Sequence, residues 1–292
     1  MIVARFFLAI IFLGLLGNSY GFLFDRCRIF SSSIAMESFD FSSAKGWDEF
    51  YKTENQDQIL ASQDGSSSAG TASTTEWHPS VSLEDIASLV PPNGKCLIIG
   101  CGNSNLPDVI LQQSNRPPPS SLVLLDTSQT CLTQLQERHQ RIEISTANSA
   151  GKKSQVTLSN TEIDYVCGDV TKLSNYFAAD NMIDSYEIEG KPFDIIIDKG
   201  LTDALLCGEG WDGPLEKLLQ ESAKVLSIET GQYLLISYDL PSSTKEFLVD
   251  IGDKVGLEWG FDFDLGAARS SHHDDGVSVA MAIRKSAPNT IS

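Results

Sequence analysis

The sequence predicts an α/β fold: a seven-stranded, mostly parallel sheet with helices on both faces and a C-terminal antiparallel hairpin. Three observations carry this. The apolar run Leu97, Ile98, Ile99 breaks directly into Gly100, Cys101, Gly102 and then a helix-like segment, the way a sheet buried on both faces opens a nucleotide-sized gap at its first strand. A second apolar run, Leu122 to Leu125, ends in Asp126, twenty-six residues after Gly100. Two further segments, Ile163–Asp169 and Phe193–Asp198, also end in an acid or a glycine followed by an acid, so four strand ends converge on one crevice.

The elements follow in order. Met36 to Tyr51 reads as helical, with Trp47, Phe50 and Tyr51 on an apolar edge, and Ser62 to Thr75 is Ser, Gly, Ala and Thr almost throughout, the composition of a flexible connection. Ser80 to Val90 resumes helical spacing, with Ser82 and Asp85 in its first turn, and Pro91-Pro92-Asn93-Gly94 stops it before the first strand. Asn105 to Gln113 is the helix after the glycine loop, with Pro107 tolerated in its first turn. Ser128 to Ile142 follows the second strand as a helix with Leu132, Leu135, His139 and Ile142 on one face, so His139 reads as a boundary residue of that face. Residues 143–161 are polar and read as irregular, and Ala178 to Lys191 as a surface insertion. Asp212 to Leu226 is a strongly amphipathic helix, Gly231 to Tyr238 a fifth strand and Ser243 to Val255 another helix. Leu257 to Leu265 and Val277 to Arg284 alternate as the closing hairpin, with His272-His273-Asp274-Asp275 in its solvated turn rather than a metal site.

Of 292 residues, 39 are Asp or Glu and 21 Lys or Arg, giving a formal charge of −18. Residues 1–35 carry Arg5, Arg26, Arg28 and only Asp25, so the acidity lies in the remainder. Such a body repels phosphate backbones, which argues against nucleic acid as a principal partner; the acidity either attracts a basic protein acceptor or serves only to keep the chain soluble. The six cysteines form no Cys-x-x-Cys and no metal spacing with histidine, so no metal is expected. Cys96, Cys101 and Cys167 fall in or beside buried strands as small apolar fillers, which favours a reducing final compartment.

The chain is expected to divide into a presequence at 1–35, an N-terminal helix and flexible segment at 36–79, the main domain at 80–285 and a tail at 286–292. Arg5 precedes an uncharged stretch from Phe6 to Gly17, too short to span a bilayer, and Ser19 and Gly21 supply small residues for signal cleavage. Phe22 to Ser33, hydroxylated with two arginines, resembles the transit part of a bipartite presequence for a secondary plastid. The alternatives are plain secretion, a mitochondrial address, or a cytosolic form initiated at Met36.

Glycines that bare the backbone, followed by a strand-end acid able to accept both ribose hydroxyls, read as adenosine binding. A dinucleotide further needs a small residue at position 105, so that a diphosphate can sit on the helix, and Asn105 stands there. A ligand with an adenosine and an amino-acid tail needs only the turn and a few polar groups, and S-adenosylmethionine is such a ligand. Its expected contacts are Gly100, Cys101, Gly102 and Asn103 in the loop and Asp126 on the ribose, with Gly168 and Asp169 near the adenine. Asp169 also stands where a helix N-cap would.

Trp47-Asp-Glu-Phe-Tyr51, Glu76-Trp77, the Leu97–Ser104 segment and Phe193-Asp-Ile-Ile-Ile-Asp-Lys-Gly-Leu-Thr-Asp-Ala-Leu-Leu206 together resemble class I S-adenosylmethionine-dependent methyltransferases. The resemblance is strongest to the eukaryotic methyltransferase-like group that includes lysine methyltransferases of elongation factor 1-alpha and of citrate synthase. It covers roughly residues 45–285 and implies the Rossmann-like fold, S-adenosylmethionine as cofactor, and an exposed protein lysine as acceptor, elongation factor 1-alpha first. It departs where Leu201-Thr202 replaces the group's Thr-Leu order and where His78 replaces its usual aromatic after the tryptophan. Alternatives of other kinds are a small-molecule methyltransferase, a polyamine synthase, a nucleotide-dependent dehydrogenase and a binding protein without catalysis. The lack of an Asn-Pro-Pro-Tyr type segment after the fourth strand argues against base or glutamine-amide methylation.

The resemblance places the reacting methyl beside Asp198. A lysine has a pKa of about 10.4 and arrives charged, so it must lose a proton before its lone pair attacks. Asp198 is accordingly expected to orient the amine and pass its proton to water, while Trp77 and Tyr238 supply an apolar wall that desolvates the cation. Lys199 is expected either to neutralise the cofactor carboxylate or to cap its strand.

Overall fold

The computed structural model describes residues 43–63, 76–113, 115–149, 161–177, 192–261, 263 and 276–286. The strands are β1 (Lys95–Ile99), β2 (Ser121–Asp126), β3 (Glu162–Cys167), β4 (Ile195–Lys199), β5 (Gln232–Tyr238), β6 (Leu257–Phe261) and β7 (Val277–Arg284). They form one sheet in the order β3-β2-β1-β4-β5-β7-β6. β1 pairs in parallel with β2 and β4, β2 with β3 and β4 with β5, whereas β7 runs antiparallel to both β5 and β6. The sequence predicted this mostly parallel sheet with its reversed finish, and the first five strands keep the order of a doubly wound fold.

Alternation along each strand sorts side chains onto two faces. Leu97, Ile99, Val123, Leu125, Ile196, Tyr233 and Leu235 pack on one, against Leu215, Leu218 and Leu219 of α7 (Asp212–Val225) and Leu248 and Ile251 of α8 (Ser242–Val255). Cys96, Ile98, Leu122, Leu124, Ile195, Ile197 and Leu234 pack on the other. They meet α2 (Leu83–Ser88), α3 (Leu106–Leu111) and α4 (Gln129–Ser149) through Ile86, Ile110, Leu132 and Leu135. Tyr51 of α1 (Ala44–Gln63) joins this second face.

Several boundaries differ from expectation, each for a local reason. α4 continues past Ile142 to Ser149, and α1 runs through Ser62 to Gln63. Neither extension contains a glycine or proline to stop it, and the first glycines downstream are Gly151 and Gly65. Phe193 stands outside β4 and forms an isolated bridge to Leu226. Two short helices, α5 (Leu173–Phe177) and α6 (Leu201–Leu206), carry too little periodicity to be read from sequence. Cys96 and Cys101 are buried as expected, but Cys167 is exposed because β3 is the edge of the sheet. The presequence, Met36, the link at 64–75, the segment 150–160, the insertion at 178–191, residues 264–265 and His272–Asp275 lie outside the described residues. Among the described residues, no helix is long and apolar enough to cross a membrane, and no group of three or more His, Cys, Asp or Glu could hold a metal ion.

The face carrying α7 is tied to α5 by a buried carboxylate. Glu221 accepts hydrogen bonds from the Ser174 amide at 2.8 Å, from the Ser174 hydroxyl, and from Lys224 Nζ at 2.6 Å. Burial alone would raise its pKa, but these donors outweigh burial and hold it down at about 2. The sign follows from linkage: a depressed carboxylate stabilises the fold above its unfolded pKa, and that stability is lost as pH falls toward the folded value. Urea unfolding of the wild type should therefore weaken between pH of about 4.5 and about 2 more steeply than that of Glu221→Gln. Equal slopes in the two proteins would refute the role given to this carboxylate.

Candidate functional site

The carboxyl ends of β1 to β4 open into a cavity of about 310 Å3. Its floor is the loop Gly100–Ser104, its sides are Asp126 and Thr127 after β2 and Gly168 to Thr171 after β3, and Lys199 to Leu201 follow β4. Trp47 and Tyr51 from α1, Trp77, and Trp211 from the start of α7 complete the wall. The tryptophans at 47 and 77 meet edge to face with centroids 6.3 Å apart, and the Trp47 ring stacks on Tyr51 at 6.2 Å.

The floor needs its glycines. Gly100 and Gly102 have φ of +56° and +53°, a region that L side chains rarely adopt. A Cβ on Gly100 would lie 2.9 Å from Leu201 Cβ, and one on Gly102 2.9 Å from the Tyr51 hydroxyl oxygen. The Gly102 amide donates to Asp126 Oδ2 at 3.0 Å, and Ser128 N donates to Asp126 Oδ1 at 2.9 Å. Each carboxylate oxygen retains a second lone pair, the capacity a ribose diol requires. Burial raises the Asp126 pKa, and the amides of Ser128 and Gly102 oppose that rise. Asp48 of α1 anchors the same region, accepting from the Ser128 hydroxyl at 2.5 Å and from Thr130 N at 3.1 Å.

The other expected site residues fall in two groups. Gly100, Cys101, Gly102, Asn103, Asp126, Gly168, Asp169, Lys199 and Trp77 all line the cavity. Asp169 also caps the 3-10 turn Val170–Lys172, accepting from Thr171 N at 2.9 Å. Burial would raise its pKa, but hydrogen bonds from Thr171 and Lys172 outweigh burial and lower it. Asp198 and Tyr238 are not among the lining residues. Tyr238 sets its ring edge to face on His78, centroids 4.5 Å apart, and its amide donates to Asp203.

Asp198 is fully buried, with its carboxylate already occupied. Oδ1 accepts from Thr202 N at 3.1 Å, and Oδ2 from the Thr202 hydroxyl at 2.6 Å and the Tyr233 hydroxyl at 2.9 Å. It therefore holds the start of α6 against β5 instead of facing the cavity. The reason is alternation: Asp198 continues the face of Ile196, and Lys199 that of Ile197. Leu201-Thr202 acquires a physical reading from this, since Leu201 lines the cavity while the Thr202 hydroxyl serves Asp198. His78, at φ of 58°, is buried, with Nε2 2.8 Å from Asp203 Oδ2.

One residue missing from the sequence-derived set links three parts of the site. Glu76 Oε1 accepts from Asn105 N at 2.5 Å, and Oε2 accepts from the Ser104 hydroxyl at 2.8 Å and from Lys199 Nζ at 2.7 Å. Lys199 is thereby paired within the chain, and burial lowers its pKa against the opposing pull of Glu76. Arg138 braces the same loop from α4, donating to the carbonyls of Asn103 and Ser104 at 2.9 and 2.7 Å. His139, expected at the boundary of its helix's apolar face, is buried with Nδ1 2.5 Å from the Tyr165 hydroxyl.

The sequence matches no protein-family model and no curated protein. Solved structures resemble the chain at low identity. A TehB-like SAM-dependent methyltransferase from Corynebacterium glutamicum is 14% identical with a TM-score of 0.45, over 81% of this chain and 99% of that one. The plantazolicin methyltransferase BpumL, in complex with SAH, is 13% identical with a TM-score of 0.44, over 85% and 95%. The cyclase SpnF is 12% identical with a TM-score of 0.46, over 83% and 96%. Likeness at this level decides neither reaction nor substrate, and the functional reading rests on the site itself.

Asp198→Ala should cost about 2–4 kcal/mol of stability by leaving the buried Thr202 and Tyr233 hydroxyls without an acceptor, read by urea unfolding. Burial lifts the Asp198 pKa to about 6 against its hydrogen bonds from Thr202 and Tyr233. A raised carboxylate binds its proton more tightly in the folded state, so stability should fall as pH rises from about 4 to about 6, then level off. Asp198→Asn should remove that slope. Unchanged stability in Asp198→Ala would overturn the structural assignment.

Proposed function

We propose that the chain is an S-adenosylmethionine-dependent methyltransferase and that its acceptor is a lysine side chain on a protein. The observation that carries the cofactor is the Gly102 amide on Asp126 Oδ2, which holds the acid beside bare backbone where a ribose and its tail can lie close. The left-handed turn at Gly100 and Gly102, both of which line the cavity, supports the fit by presenting backbone without side chains. Asn105 at the position where a dinucleotide needs a small residue supports a ligand without a diphosphate. When bound, S-adenosylmethionine supplies an electrophilic methyl on a sulfonium, transferred by in-line displacement.

In this reading the chain aligns the reactants and excludes water. Asp126 accepts the ribose hydroxyls, Gly168 and Asp169 border the adenine, and the loop from Gly100 to Asn103 carries the tail. Trp77, Leu201, Ala204 and Leu205 form an apolar wall near the β4 end that desolvates an ammonium and lets it shed its proton to water. Asp198 acts at one remove, by fixing α6. The acidic charge of the body and the resemblance of the Asp198–Leu206 segment to protein lysine methyltransferases support the protein acceptor, with elongation factor 1-alpha the first candidate.

Calorimetry with S-adenosylmethionine, S-adenosylhomocysteine and NAD tests the cofactor. Asp126→Ala should weaken the first two by about 1.5–3 kcal/mol, roughly ten- to hundredfold; tighter binding of NAD would sink the reading. For the acceptor, a cell extract supplied with radiolabelled S-adenosylmethionine should show one or few labelled proteins, identifiable by mass spectrometry and absent with Asp126→Ala. Label confined to small molecules would overturn the protein acceptor while leaving the methyltransferase.

A further inference from the structure

The charges around the cavity are arranged unlike those of a phosphate site. Among the described lining residues the carboxylates are Asp126, Asp169 and Glu209, and the cation is Lys199. Lys199 Nζ is 2.7 Å from Glu76 Oε2 and its side chain is 5% exposed, so its charge is neutralised before any ligand enters. The backbone that would meet a phosphate at the loop end is likewise taken. Asn105 N donates to Glu76 Oε1, Leu106 N to the Ser104 hydroxyl, and position 107 is proline, with no N–H. A carboxylate thus sits where nucleotide-binding sheets receive a phosphate oxygen.

We propose that Glu76 is a specificity-determining residue: it sets the ligand charge the cavity accepts by occupying the loop-end donors and neutralising Lys199. Adenosine ligands with a cationic or neutral tail are admitted, and adenosine phosphates are rejected. The inference deepens the methyltransferase reading and rests on its placement of adenosine beside Asp126. It also accounts for Lys199, a buried lysine in a cavity wall whose obvious use would be to hold an anion. Rejection arises twice over: a phosphate oxygen would find the loop-end donors already engaged by Glu76 and the Ser104 hydroxyl, and the Lys199 charge already paired.

The test is a calorimetric series with adenosine, ADP and S-adenosylmethionine on the full chain as wild type, Glu76→Gln and Lys199→Met. Adenosine is the charge-free reference, and its unchanged affinity in both variants shows that the cavity has kept its shape. Wild type should bind S-adenosylmethionine at least about a hundredfold more tightly than ADP, a gap of roughly 2.7 kcal/mol. Glu76→Gln, which leaves the Lys199 cation without its counter-charge, should tighten ADP at least about tenfold and weaken S-adenosylmethionine. Lys199→Met, which leaves the carboxylate alone, should reject ADP further and retain S-adenosylmethionine. Unchanged ADP affinity in Glu76→Gln, or equal binding of ADP and S-adenosylmethionine by the wild type, overturns the inference. If adenosine binds and ADP responds as described but S-adenosylmethionine does not bind, the methyltransferase reading fails and the charge rule stands. Absence of binding by all three ligands overturns both.

Discussion

The carboxyl edge of the sheet depends on the backbone turning through Gly100 and Gly102 at positive φ with no room for a side chain. β1 lies between β2 and β4 and is buried on both faces, so its chain can leave only at the end of the sheet. The turn brings the Gly102 amide onto Asp126 at the end of β2 and sets Gly102 under the Tyr51 hydroxyl of α1. One local constraint thereby joins the floor, the Asp126 carboxylate and the covering helix. A β-carbon at either glycine would separate α1 or Leu201 from the floor and open the crevice to water.

Around that turn, ion pairs and hydrogen bonds do the positioning. Glu76 ties the segment before α2 to the loop and to β4. Asp48 ties α1 to the start of α4, and Asp203 ties α6 to His78 and to Ser237 at the end of β5. These carboxylates each engage more than one donor, so removing any one strands several buried groups rather than a single partner. The apolar faces of the sheet supply the stability, and this polar layer fixes the shape of the cavity above it.

The fold was legible because a parallel sheet buried on both faces writes its strands as uninterrupted apolar runs. Leu122–Leu125 and Ile195–Ile197 are examples, with glycine or an acid marking where each ends. The glycine loop and Asp126 were legible for the same reason, since their spacing is local to one strand, helix and strand. Asp198 was misplaced because a strand-end acid reads the same whichever face it points to; only the register, with Asp198 opposite Leu235, fixes its side against Tyr233. Glu76 was overlooked as a site residue because its partners Ser104, Asn105 and Lys199 lie up to 123 positions away. α5 and α6, of five and six residues, are set by tertiary contacts, with the Asp198 carboxylate holding α6 and Glu221 holding α5, and too few positions exist for a period to show.

A crystal structure of the chain with S-adenosylhomocysteine would show whether the cavity at the ends of β1 to β4 holds an adenosine against the glycine loop. Both ribose hydroxyls should lie within hydrogen-bonding distance of Asp126, with the adenine beside Asp169 and the sulfur turned toward Trp77 and Gly200. A ribose that does not contact Asp126, or a ligand seated away from the Gly100–Gly102 turn, would contradict this placement.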